Sequence, residues 1–151
     1  MPDSSAVPAV PVKLLRPGAS LPAYGSAYAA GADLSACLEE PVEIAPGETR
    51  LVPTGLAMEI PAGYAGLIYA RSGLASKRGL APANKVGVVD ADYRGEVMVA
   101  LHNHSPQAQA VAPGERIAQL VVAPFLAVRF APTEELEATA RGAGGFGSTG
   151  T

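Results

Sequence analysis

The sequence predicts an all-β fold, a barrel or a sandwich, with one short helix at most. Three observations predict it. Apolar residues alternate with polar or small ones at period two through several short runs, as in a sheet with one buried face. Gly 17 and Pro 14 are spread between those runs rather than gathered in a block, which marks them as turns. No long stretch carries the 3.6-residue period of an amphipathic helix.

The elements follow in order. Val10–Leu15 and Thr49–Pro53 read as strands. Leu56, Met58 and Ile60 alternate with Ala57 and Glu59, which predicts a half-buried strand. Ala65–Tyr69 and Lys85–Asp90 come next, then Val97, Val99 and Leu101 alternating with Met98 and Ala100. Gln109–Val111, Ile117–Ala123 and Ala127–Phe130 complete the set. Pro46-Gly47, Pro61-Ala62-Gly63, Arg94-Gly95 and Pro113-Gly114 punctuate it. Ser72 is placed to cap a turn of helix over Leu74–Lys77. A second short helical piece is open over Thr133–Ala140, with a thin apolar face. Residues 1–9 are expected to be disordered, and 10–140 to form one β domain. Residues 141–151, RGAGGFGSTGT, hold five glycines and almost no core-forming side chain. The ordinary reading of such an end is a mobile tail.

Composition bounds the function. At 151 residues and 15.3 kDa the chain is one domain, long enough for its own core. Hydrophobic residues at 48% exclude a disordered protein. The net charge of −3 lacks the basic excess of a protein that grips nucleic acid by its phosphates. Charged residues are 17%, below the roughly 25% of an average domain. That agrees with a surface shared among copies, and equally with a small Ala-rich domain. One cysteine, Cys37, excludes an intramolecular disulfide and suits a reducing compartment. His102 and His104 do not combine with Cys37 in any zinc-site spacing and read as a strand end. No apolar run reaches the roughly 18 residues of a membrane span, since Pro124 breaks Leu120–Val128. The proline-interrupted N-terminus has no basic region before an apolar run, so no secretory signal is expected. The expectation is a soluble, cytoplasmic protein with no nucleic-acid or membrane partner.

The residues suited to chemistry are ordinary one at a time. Arg71-Ser72-Gly73 sits at a strand exit, where turns are common. Asp90 ends the run Gly87-Val88-Val89, as turn residues do. Gln119 within Ile117–Val122 reads as an outward strand residue, and Asp33 as an Asx turn. Gly142–Gly147 satisfies G-x-G-x-x-G, but it lacks the preceding strand, following helix and later acidic residue of a dinucleotide site. Its bare backbone N–H groups can still curl around phosphate oxygens.

Taken as a set, five segments occur in a fixed order: AGADLSA (30–36), ARSGLA (70–75), GVVDADYRGEV (87–97), ERIAQLV (115–121) and RGAGGFGSTG (141–150). Together they resemble the five motifs of the homotrimeric deoxyuridine triphosphatases (dUTPases, or dUTP pyrophosphatases). The resemblance runs from about Val12 to Gly150. One departure is Ala70, where the family's second motif usually opens with proline. Proline there would stiffen the strand exit rather than touch substrate.

The resemblance implies a distorted β-barrel or jelly-roll-like β-clip fold. It implies cleavage of dUTP at the α-phosphorus into dUMP and pyrophosphate. Asp90 matches the base that activates the water. Arg71, Ser72 and Gly73 match phosphate contacts, and Gln119 matches a further one. Mg²⁺ bridges the triphosphate in the family, and Asp33 matches the acid that holds the metal's waters rather than the metal. The hairpin Asn84–Val89, with Asn84, Val88 and Val89, matches the backbone reader of uracil. Tyr93 matches the ring under the deoxyribose that leaves no room for a 2′-hydroxyl. Met98, on the following strand, is a further candidate for lining the same pocket, with core packing alone as the preferred reading. The tail matches a lid in which Phe146 stacks on uracil while Arg141, Gly147, Ser148 and Thr149 hold terminal phosphates. The family's trimer builds each site from three chains: one gives the second and fourth motifs, one the third, one the fifth.

Two rivals share the fold. A dCTP deaminase carries a glutamate base on the strand after the third motif, where this chain has Ala100. A non-catalytic nucleotide-binding protein would have no use for Asp90.

Overall fold

The computed structural model describes residues 7–148. Eleven strands and one helix lie among them. β1 (Val12–Leu14), β2 (Ala23–Tyr24), β3 (Ala32–Ser35) and β4 (Val42–Ile44) are short. β5 (Thr49–Met58) and β6 (Tyr64–Tyr69) follow, then α1 (Ser72–Arg78). β7 (Leu80–Pro82), β8 (Gly87–Val89), β9 (Val97–Asn103), β10 (Gln109–Val111) and β11 (Arg116–Pro124) complete the order.

All pairings are antiparallel. One sheet has the order β1-β5-β9-β7, a second β2-β3-β11-β6-β8, and β10 pairs with β4 alone. The sheets are not closed into a single barrel, and the architecture is jelly-roll-like. Leu34, Leu56, Ile68, Val99, Leu101, Ile117 and Leu120 meet in one core fed by both large sheets. β9 shows why the alternation reads correctly: Val97, Val99 and Leu101 are buried, while Met98 and Ala100 are not. Asn103 ends this strand fully buried. Its amide donates to the carbonyls of Ile44 and Gln107, and its oxygen accepts from the Ser105 backbone and hydroxyl. Every polar valence there is met, which is the condition for burying an amide.

Five expectations change. The run at 49–53 and the start of the run at 56–60 are one strand, β5, which ends at Met58 and has an irregularity opposite β9 between Pro53 and Leu56. Lys85 and Asn84 lie outside β8, and Lys85 has φ 67°, which no strand residue adopts. Ala127–Phe130 forms no strand and Thr133–Ala140 no helix. β11 ends at Pro124, and beyond it the apolar side chains find no face in the chain to cover. Leu136, the one large apolar residue of 133–140, is 88% exposed. Ser72 is not the helix cap. Arg71 occupies that position, extended at φ −85° and ψ 130°, with no side-chain cap bond. The expected disorder of 1–9 falls mostly outside the described residues.

Candidate active site

Asp33 is a strand residue rather than an Asx turn. It lies on β3, directly opposite Gln119 of β11, and Gln119 in turn faces Tyr69 at the end of β6. The three strands thus bring the first, second and fourth segments together. Asp33 Oδ1 accepts from Arg71 Nε at 2.8 Å, and Oδ2 accepts from Arg116 Nη1 at 3.1 Å. Gln119 Nε2 donates to the Ala70 carbonyl at 2.8 Å, which fixes the strand exit that lacks a proline. Gly31 leaves the space for that amide: a Cβ there would stand 2.3 Å from Gln119 Oε1.

A pocket of about 630 Å³ opens over this cluster. Arg71, Ser72, Gly73 and Gln119 line it with Asp33. Lys77, Arg78, Glu115 and Arg116 also line it. Four cationic side chains therefore face two carboxylates, a balance that favours an anion. Arg78 is held by the Glu115 carboxylate and the Ala110 carbonyl. Ser72 lies inside the first turn of α1, so its hydroxyl is not spent on a cap. Sequence reasoning missed Arg116 and Lys77. The signal for Arg116 was its place on β11 three residues from Gln119.

The third segment builds a different pocket of about 290 Å³. Asn84, Val88, Val89, Asp90, Tyr93 and Met98 all line it. The segment from Pro82 to Gly87 crosses from one large sheet to the other, and backbone bonds hold the crossing: Lys85 N–H to Pro82 O, and Val86 N–H to Asn84 O. Asp90 follows β8 immediately and is exposed. Tyr93 Oη donates to the Glu96 carbonyl at 2.9 Å, and the residue is 45% exposed. Met98 points out of β9 at 40% exposure, so it is a pocket wall and not core packing.

The two pockets share no lining residue. Along β6 the two sets also stand apart, because Val89, next to Asp90, faces Gly66 while Gln119 faces Tyr69. Of the described tail residues, 141–148, none lines either pocket. Arg141 Nε donates to Gly144 O, Ser148 N–H bonds to Gly145 O, and Phe146 is fully exposed with φ 52°. Gly147 follows in the left-handed region at φ 84°. Thr149 lies outside the described residues.

Among the described residues no group of three His, Cys, Asp or Glu side chains could cage a metal. Asp33 carries both arginine bonds, one per oxygen. Each carboxylate oxygen keeps a second lone pair. That donor set fits a water-mediated hold on Mg²⁺, a cation that dehydrates reluctantly.

A family model described as dUTPase matches residues 18–150. The chain belongs to the dUTPase family. Among its relatives, deoxyuridine 5'-triphosphate nucleotidohydrolase of Thiobacillus denitrificans is 53% identical over 131 residues, 86% of this chain and 90% of that protein. The enzyme of the same name from Desulfotalea psychrophila is 55% identical, covering 87% of each. A Staphylococcus bacteriophage 80alpha dUTPase solved with dUPNHPP superposes with a TM-score of 0.87 at 30% identity, over 96% of this chain and all of that one. A phage phi11 dUTPase of S. aureus, whose structure concerns coordination of a structural Mg(II) ion, gives a TM-score of 0.78 at 26% identity, over 87% of this chain and all of that one. The dUTPase family thus accounts for the fold and for the five segments together. Among the described residues no helix is long and apolar enough to cross a membrane.

Proposed function

We propose that this chain hydrolyses dUTP to dUMP and pyrophosphate, in a homotrimer whose sites combine residues of three copies. As a dUTPase-family member it is a hydrolase of phosphoanhydride bonds. The observation that carries the finer reading is the division of labour between the pockets. A cationic pocket suits a triphosphate, and a mostly apolar pocket that holds Asp90, with its other carboxylate Glu96 engaged by Arg16, suits a nucleoside and its attacking water. They lie apart in one chain, so a second copy is needed to join them.

The chemistry follows from the parts. A phosphoanhydride already has a good leaving group, so the protein must neutralise charge, align water and supply a base. Asp90 takes a proton from water as the water oxygen attacks the α-phosphorus, and the bond to the pyrophosphate oxygen breaks. Such general base catalysis is worth ~10²–10⁴ in rate. Arg71 offers phosphate a planar fork of donors, with Ser72, Gly73 and Gln119 beside it. When bound, Mg²⁺ supplies charge neutralisation across the triphosphate, and Asp33 holds its waters. The Asn84–Val89 backbone pairs with uracil; cytosine would leave polar groups unpaired, the strong form of discrimination. The tail residues 141–151 close over the nucleotide, with Phe146 on the base and Arg141, Gly147, Ser148 and Thr149 on phosphate. A cytoplasmic setting suits Cys37, a buried free thiol.

Chromatography of products from dUTP, dCTP and dTTP offered side by side tests the reading. We expect dUMP and pyrophosphate from dUTP. Release of dUDP and inorganic phosphate, or faster turnover of dCTP or dTTP, contradicts it.

A further inference from the structure

We infer that Arg16 and Glu96 form a positioning pair that fixes Tyr93 and thereby sets the discrimination between deoxyribose and ribose. This rests on the proposed place of Tyr93 beneath the sugar.

Arg16 lies outside all five segments, in the turn after β1. Its guanidinium nevertheless makes a two-pronged contact with Glu96: Nη1 to Oε1 at 2.5 Å and Nη2 to Oε2 at 2.7 Å. Parallel prongs of this kind fix orientation as well as distance. Glu96 Oε1 also accepts the Gly55 N–H at 2.8 Å. Gly55 is the irregular point of β5, at φ 71°, and its carbonyl accepts the Leu15 N–H at 2.8 Å. One carboxylate thus ties the turn after β1 and the β5 irregularity to the residue that precedes β9.

The same residue holds Tyr93 through its backbone. The phenol donates to the Glu96 carbonyl, and Gly95 packs directly against the ring. A Cβ on Gly95 would stand 2.5 Å from the phenol oxygen. The ring is thus tied to the backbone of 95–96, and the carboxylate of Glu96 anchors that backbone. Glu96 also lines the pocket with Asp90, Tyr93 and Met98. Its side chain is 19% exposed and that of Arg16 is 42% exposed. With the Arg16 side chain this open, the pair adds little to stability, so truncating Arg16 should spare the fold. Excluding a single hydroxyl, by contrast, depends on a wall that does not yield.

The test is Arg16→Met, with kcat and KM measured for dUTP and UTP alongside thermal unfolding. KM for dUTP should rise while kcat stays within a few-fold of the parent. The dUTP-to-UTP ratio of kcat/KM should fall by about tenfold, the scale on which a pocket rejects one small group. Arg16→Lys should fall between, because it keeps the charge and loses the fork. Glu96→Gln, which keeps an acceptor for Gly55 N–H, provides a second route if Arg16→Met folds poorly, and should lower the same ratio. An unchanged ratio in a folded Arg16→Met or Glu96→Gln protein would reduce the pair to a plain bridge and overturn the inference. A parent protein that turns over UTP as fast as dUTP would overturn both this inference and the sugar role of Tyr93. Selectivity kept in parent and variants alike would remove the pair only.

Discussion

Residues 12–124 and residues 125–148 carry similar apolar side chains and treat them in opposite ways. In the first region Leu34, Ile44, Leu56 and Leu101 are fully buried between sheets. In the second, Phe125, Leu126, Val128, Phe130 and Leu136 are exposed, Phe130 at 91%. The alternation at 127–130 is as good as that at 97–101. What differs is the company each segment keeps: β9 has β5 on one side and β7 on the other, while beyond Phe125, whose N–H bonds to the Gly63 carbonyl, no described residue pairs into a sheet. Periodicity states which face a segment wants to bury, and only the rest of the fold states whether that face is offered. In the proposed trimer the missing face belongs to another copy.

The comparison can be broken in four ways. The largest effect lies in the body, at the proposed base. Asp90→Asn keeps size and hydrogen bonding and removes basicity, so kcat should fall by ~10² or more with nucleotide still bound. Single-turnover rates and nucleotide titration check it, and a kcat within a few-fold of the parent removes Asp90 from the mechanism. Next is the second region. Ending the chain after Ala140 removes no strand, so thermal unfolding and trimer mass should hold. Turnover should drop by about 10²-fold, because phosphate alignment goes with it. Unchanged turnover would make the segment an ordinary tail.

A matched pair of leucines compares the regions directly. Leu101→Ala empties a fully buried site and should cost about 2–5 kcal/mol. Leu136→Ala alters an exposed residue and should stay within about 0.5 kcal/mol. Denaturant unfolding of both variants measures the contrast, and a large loss at Leu136 would show that the second region is packed in solution.

The smallest effect is at Glu48. The Ala45 N–H bond, and after it the Arg50 side chain, hold its carboxyl below the usual carboxylate range. A carboxylate whose folded pKa is depressed stabilises the fold above its unfolded pKa. That contribution fades as pH falls through the lower folded value. Glu48→Gln should therefore narrow its stability gap to the parent as pH falls, and a gap independent of pH would contradict this.

Much of the site was legible because its residues fall in ordered segments, and the fold gathers them as two sets. Asp33, Arg71, Ser72, Gly73 and Gln119 share one pocket; Asn84, Val88, Val89, Asp90, Tyr93 and Met98 share the other. The separation of the sets was not visible in composition or periodicity, since it depends on where the chain crosses between sheets. Arg16 and Glu96 were invisible for a related reason: they lie 80 residues apart, and each alone is an ordinary surface charge. β2, β4 and β7 span two or three residues, too few for any period to show. Ser72 looked like a cap because hydroxyls favour that position. The extended Arg71 takes the place, its guanidinium drawn toward Asp33 across the sheet.

The central claim is that the base-bearing pocket of one copy works with the cationic pocket of another. Subunit mixing tests it most directly. Asp90→Asn chains and Arg71→Ala chains should each be inactive as pure trimers. Refolded or co-expressed together, they should recover a substantial part of the parent turnover, because some sites then pair an intact Asp90 with an intact Arg71 from different chains. A mixture that forms mixed trimers by native mass spectrometry and stays as inactive as its components would place each whole site within one chain and contradict the account.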